Sequence, residues 1–167
     1  NPLEIAYHLE KALYLAKSGR PGPVWLDIPL DVQGAVVETD LLMHFDKSQE
    51  KTWTNDLLST KISEVIEKIK SAKAPLILAG TGIRAGNAEE EFLKLANKLQ
   101  IPIVTAWNAN DILAFDSPYF VGMPGTVGTR PGNFAIQNCD LLISLGCRLN
   151  LRMIGYNHFD FAKNAYK

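Results

Sequence analysis

Few residues in this chain have the type and spacing to do chemistry, and those few follow short apolar runs. Gly80-Thr81-Gly82-Ile83-Arg84-Ala85-Gly86 fits Gly-x-Gly-x-x-Ala, where missing side chains let backbone N–H groups approach a phosphate. Alone the pattern is weak. A dinucleotide site of the usual kind closes the next strand with an Asp or Glu that holds a ribose, and here that end reads Thr105-Ala106-Trp107-Asn108. Thr105, Asn108 and Asn110 offer hydroxyl and amide groups, and Asp111 reads as a turn cap. In "VGMPGTVG", Gly122 and Gly125 leave room for amides to reach a flat ligand. In "LGCRLNLRMIGYN", Arg148 and Arg152 stand where a phosphate or carboxylate would be clamped. Turn-making glycines and solvated arginines are the plainer readings of the same residues. His8, His44 and His158 fall in separate segments, without the spacing of a metal site or a catalytic triad. The residues describe a ligand cleft without reactive groups: neither a catalytic residue nor a metal ligand is assigned.

Such loops need strands to carry them. Ile5, Leu9, Ala12, Leu13 and Ala16 form one helical stripe, stopped by Gly19. Pro21 and Pro23 reinforce the break, and "VWLDI" at 24–28 reads as a buried parallel strand closed by Pro29. From Leu30 the order dissolves into a polar connection running to about residue 56. A second stripe, Leu58, Ile62, Val65, Ile66 and Ile69, leads to a strand at 75–79. Asn87 and Glu90 have capping-box spacing for a helix whose inner face is Phe92, Leu95, Ala96 and Leu99. Strands at 101–106 and 141–145 follow, the second preceded by a short helix at 133–138. Alternating helix and strand predicts an α/β fold with an open, doubly wound parallel sheet. The expected organisation is a helix–strand segment at 1–36, a connection at 37–56 and a Rossmann-like domain at 57–167.

Composition narrows the partners. The chain has 167 residues, 47% hydrophobic and 21% charged, the balance of a soluble globular protein. With 17 Lys and Arg against 18 Asp and Glu and no basic block, a nucleic-acid or anionic-membrane partner is not expected. No apolar run of about eighteen residues spans a bilayer, and Asn1-Pro2-Leu3-Glu4 lacks the regions of a signal peptide, so a cytoplasmic location is expected. Cys139 and Cys147 lie at opposite ends of a strand rising about 3.3 Å per residue. That separation exceeds the roughly 7 Å a disulfide spans, so both are expected as free, packing thiols.

The order of these segments resembles a known family. "GRPGPVWLDIPLDVQ" looks like the close of the pyrimidine-binding domain in acetolactate synthase-like thiamine diphosphate enzymes. "APLILAGTGIRAGNAEEEFLKLANKLQIPIVTAWNANDIL" and "CDLLISLGCRLNLRMIGYN" resemble their central domain. The resemblance implies a segment of a three-domain homo-oligomeric enzyme that decarboxylates a 2-oxo acid and joins the remainder to an acceptor. It places thiamine diphosphate, magnesium and the activating glutamate outside these residues. A further central-domain strand would follow "FAKNAYK", and the chain alone is expected to be inactive. The central cleft would hold FAD or ADP, or stay empty. By resemblance, Gly80, Gly82, Thr105, Gly122, Met123, Gly125, Gly146 and Arg148 take FAD-side positions. Two departures stand out: Arg148-Leu149-Asn150-Leu151-Arg152 replaces Arg-Phe-Asp-Asp-Arg, and Pro124 replaces a histidine. A stand-alone nucleotide-binding module or an assembly domain remains the alternative. The orphan strand at 24–28 is expected to dock on a second copy of the chain, with its own central domain as the alternative.

Overall fold

The computed structural model describes residues 1–50 and 58–167. The chain divides into two compact units, Asn1–Asn55 and Asp56–Lys167.

In the first unit, helix α1 (Ile5–Lys17) follows the expected stripe, but Ala12 is its one buried residue. Residues 24–28 form no strand, contrary to the sequence reading. A parallel strand exists only as a rung of a ladder, and among the described residues no neighbour offers one. Trp25 is 91% exposed. After a single helical turn, α2 (Leu30–Gln33), the expected connection runs back along α1. The Met43 N–H donates to the Leu3 carbonyl (2.9 Å), and the Glu10 carboxylate holds both the Phe45 N–H (2.8 Å) and His44 Nδ1 (2.7 Å). The Phe45 N–H comes first among the causes that keep the Glu10 carboxyl below its ordinary value. The end of the expected connection, residues 51–56, lies outside the described residues.

In the second unit, α3 (Leu58–Ser71) precedes β1 (Pro75–Ala79), then α4 (Gly82–Ala85), α5 (Glu89–Leu99) and β2 (Ile103–Thr105). β3 (Phe120–Gly122), α6 (Arg130–Asn138), β4 (Leu141–Leu145) and α7 (Leu151–Ile154) complete it. The four strands form one parallel sheet in the order β3-β2-β1-β4, as an open α/β fold requires. The chain moves outward from β1 to β2 and β3, then returns to the far side of β1 for β4. The reversal therefore lies between β1 and β4, where such sheets open their crevice. Alternation along β1 builds two cores: Leu76 and Leu78 pack with Val104, Ile136 and Leu142, while Ile77 and Ala79 pack with Phe92, Ala96 and Ile103.

Local departures have local causes. The capping box at Asn87 does not form: Asn87 takes φ 52° in the turn and α5 is preceded by Ala88, which supplies no side-chain cap. α6 starts earlier than expected because the Thr129 side chain accepts the Gly132 N–H and Pro131 fits its first turn. Both cysteines are free, and burial pushes the Cys139 thiol up. No helix among the described residues is long and apolar enough to cross a membrane.

Asp140 fastens the start of β4 to that of β1. Its carboxylate accepts the N–H groups of Lys73 (2.7 Å) and Ala74 (2.9 Å), and these bonds hold its pKa below the ordinary value. A depressed folded pKa adds stability that is complete above the unfolded carboxylate's pKa of about 3.9 and lost as pH falls through the folded value. Asp140→Asn is expected to lower the melting temperature by a few degrees at pH 7, with the gap closing below about pH 4. Scanning calorimetry from pH 3 to pH 7 checks it; a gap that stays constant with pH would place the effect outside the carboxylate.

Candidate functional site

The carboxyl ends of the strands carry four loops, and β1 and β4 bring two of them into backbone contact. The Gly80 N–H donates to the Leu145 carbonyl (2.9 Å) and the Gly82 N–H to the Gly146 carbonyl (2.8 Å). Gly146 has φ +59°, a conformation that favours glycine. A Cβ on Gly80 would fall on the Gly146 carbonyl oxygen and within 2.5 Å of the Cys147 Cα. One on Gly146 would stand 2.5 Å from the Ile83 nitrogen. These glycines close the base of the crevice, so a ligand there lies above them.

The loops from the two edge strands also meet, although β3 and β4 are at opposite sides of the sheet. The Thr126 N–H donates to the Arg152 carbonyl (3.0 Å), and a Cβ on Gly125 would come 2.8 Å from that oxygen. Asn133 braces the first loop by accepting the Gly125 N–H (2.9 Å) and donating to the Gly125 carbonyl (3.2 Å). The Met123 N–H donates to Thr129 Oγ1 (3.2 Å). The amides of Gly80, Gly82, Met123 and Gly125 thus all have protein partners. Gly122 is buried beside Thr129, where its bare Cα leaves space for that side chain.

Two expected residues have polar side chains without a protein partner among the described residues. Thr105 ends β2 beside Ala79; it is fully buried, and its Oγ1 has no hydrogen-bond partner. Leaving a buried hydroxyl unpaired costs about 1–3 kcal/mol, so a bound acceptor or donor would be favoured there. Arg148 is exposed and forms no ion pair among the described residues. Arg152, likewise exposed, stands on α7 beside the meeting point of the edge loops.

A cluster at the same end was missed in the sequence. Arg84 donates through Nε to Glu89 (2.9 Å) and through Nη2 to Asp111 (3.0 Å), tying the loop after β1 to the loop after β2. Asp111 is thus an ion-pair partner rather than a turn cap, and the Arg84 hydrogen bond holds its carboxyl below the ordinary range. Each pair is solvent-exposed and contributes little to stability. The signal was opposite charge just past adjacent strand ends. No group of three or more His, Cys, Asp or Glu among the described residues could hold a metal ion.

Comparison with known proteins follows the same layout. Residues 62–167 match the family described as thiamine pyrophosphate enzyme, central domain. A probable acetolactate synthase large subunit of Methanococcus aeolicus is 39% identical over 166 residues, covering 97% of this chain and 27% of that protein. Acetolactate synthase isozyme 1 large subunit of Escherichia coli is 37% identical over 164 residues, with 97% and 28% covered. The large subunit of Corynebacterium glutamicum is 34% identical over 155 residues, with 93% and 25% covered. The chain spans roughly a quarter of the length of these relatives. Its parallel sheet, its loop order and the match over the second unit agree: the chain belongs to the thiamine pyrophosphate enzyme central-domain family.

Proposed function

We propose that this chain is the central-domain portion of a thiamine diphosphate-dependent enzyme that decarboxylates a 2-oxo acid and ligates the product. In this reading it contributes a nucleotide-binding framework and no catalytic residue. Thiamine diphosphate, held with magnesium by other segments, supplies the carbanion chemistry that decarboxylation needs. Relatives named as acetolactate synthase large subunits support the reaction class. Consumption of pyruvate by the full-length protein with thiamine diphosphate and magnesium tests it.

The observation that carries the nucleotide reading is that Thr105, with an unsatisfied hydroxyl, ends β2, and Arg148, which forms no ion pair among the described residues, follows the end of β4. FAD or ADP would lie above the glycine contact, its phosphates toward Arg148 and a polar atom toward Thr105. Charge-assisted hydrogen bonds contribute about 1.5–3 kcal/mol, so Arg148→Ala is expected to weaken binding roughly ten- to a hundredfold. Thr105→Val is expected to weaken it too, while raising the melting temperature of the ligand-free protein by removing the orphan hydroxyl. Titration calorimetry with FAD and ADP checks both variants. Heat from neither nucleotide with the unsubstituted chain would leave the framework reading and remove the nucleotide.

Self-association belongs to the same reading. Trp25, Leu30 and Val36, at 91%, 82% and 100% exposure, are large apolar side chains of the first unit that a second copy would cover.

A further inference from the structure

The loop after β2 covers the end of its own strand. Along β2, Ile103 packs in the second core and Val104 in the first, so alternation turns Thr105 to the second-core face, where its register partner Ala79 also packs. Beyond Thr105 the chain changes sides. Ala109 is buried in the first core and Ile112 and Leu113 in the second, so residues 106–113 cross the carboxyl end of β2. The crossing brings Ile112 and Leu113 to the face that holds the orphan Thr105 hydroxyl.

This segment has few polar ties. The Ala79 carbonyl accepts the Ala106 N–H (2.8 Å), but the Ala109 and Ile112 amides bond within the segment, to the carbonyls of Ala106 (2.8 Å) and Ala109 (3.2 Å). Trp107, Asn108, Asn110 and Asp111 are exposed. From 107 to 113, among the described residues, the one hydrogen bond to another element is that of Asp111 to Arg84 (3.0 Å). Arg84 is itself fixed at both ends: neighbouring Ile83 is buried in the second core, and Glu89, in the first turn of α5, holds its Nε (2.9 Å). The guanidinium thus has one prong on a framework helix and the other on the crossing segment.

We propose that Arg84 is a latch on the crevice: its fork holds residues 107–113 shut across the end of β2, and release of the Asp111 prong opens a path to the Thr105 hydroxyl. Weakness suits this role. An exposed ion pair contributes too little to alter global stability, but it biases a segment that has no other polar tie to its surroundings. Arg84 is therefore a positioning residue, and its role is independent of what the crevice binds.

Thiol labelling of the 167-residue chain tests it. Thr105→Cys nearly preserves the size of the side chain, and a small thiol reagent then reports access at that position, with Cys139 and Cys147 as internal references resolved by peptide mass spectrometry. Adding Asp111→Ala or Arg84→Met is expected to speed labelling at position 105 about two- to fivefold and to leave both reference thiols unchanged. The two substitutions together are expected to be no faster than either alone, because each removes the same contact. Salt at about 1 M is expected to speed the latched chain and not the unlatched ones. Equal rates with and without the latch would overturn the proposal, as would additive effects of the two substitutions or equal acceleration of all three thiols. Hydrogen exchange gives a readout free of the added cysteine: in Asp111→Ala the Ala109 and Ile112 amides are expected to exchange about two- to fivefold faster, while the Ala106 amide, bonded to β1, is unchanged. Unchanged exchange at Ala109 and Ile112 would equally refute the latch.

Discussion

Gly80→Ala is expected to destabilise the second unit by about 3 kcal/mol, lowering its melting temperature by roughly 10 °C or more. The added methyl would meet the Gly146 carbonyl oxygen and Cys147 Cα, which are backbone atoms that no rotamer change can move. Relief requires the β1 and β4 loops to part, and parting them breaks the Gly80–Leu145 and Gly82–Gly146 hydrogen bonds. Gly80 does not have a positive φ, so the substitution isolates crowding from backbone strain. Gly86, in the same turn, is the control: its Cβ would come no nearer than 3.2 Å, to the Gly82 carbonyl. Gly86→Ala is expected to shift stability by less than about 1 kcal/mol. Calorimetry of the two variants decides, and equal losses would mean that close packing at the crevice base is not what requires glycine.

This contact also shows what the sequence could and could not tell. The strands at β1 and β4 were legible because each is a continuous apolar run bounded by turn residues, the pattern of a strand covered on both faces. β3 was not, since three residues between Tyr119 and Met123 are too few for any period to emerge, and its pairing with β2 is irregular. The glycines were found, but what they approach was not legible. A Gly-x-Gly pattern records that backbone must approach something closely, and here Gly80 and Gly82 approach the protein's own Gly146 rather than leaving their N–H groups to a phosphate. Arg84 was passed over for a related reason: its partners, Glu89 and Asp111, become neighbours only once β1 and β2 lie side by side. The strand expected at 24–28 marks the opposite limit. Local pattern proposes a strand, but a ladder needs a partner that these residues do not find.

Separating the units is expected to leave one folded and the other not. Residues 56–167 carry a two-sided core in which Leu76, Ile77, Leu78, Ile103, Val104 and Ile136 are almost fully buried. Each such side chain contributes about 1.5–3 kcal/mol, and all four strands of the sheet come from the same residues. In residues 1–55, by contrast, Ala12 is the single buried side chain among those described. Its other assets are weak. Tyr7, Tyr14 and Phe45 make two aromatic contacts with centroids 5.8 and 5.3 Å apart, worth about 0.5–1.5 kcal/mol each. The Glu10–His44 and Lys11–Glu50 pairs are solvent-exposed and contribute little. A 13-residue helix is marginal by itself, and ordering the chain costs about 1–2 kcal/mol per residue. Circular dichroism is therefore expected to show a cooperative melt for residues 56–167, within a few degrees of the whole chain, and a weak, non-cooperative signal for residues 1–55. The self-association proposed above would supply the cover that this unit's own residues do not. Under the self-association proposed above, light scattering will show the whole chain as a multimer and residues 56–167 as a monomer. A cooperative melt of isolated residues 1–55 would mean that the unit needs no cover. Equal association of both chains would move the interface to the second unit.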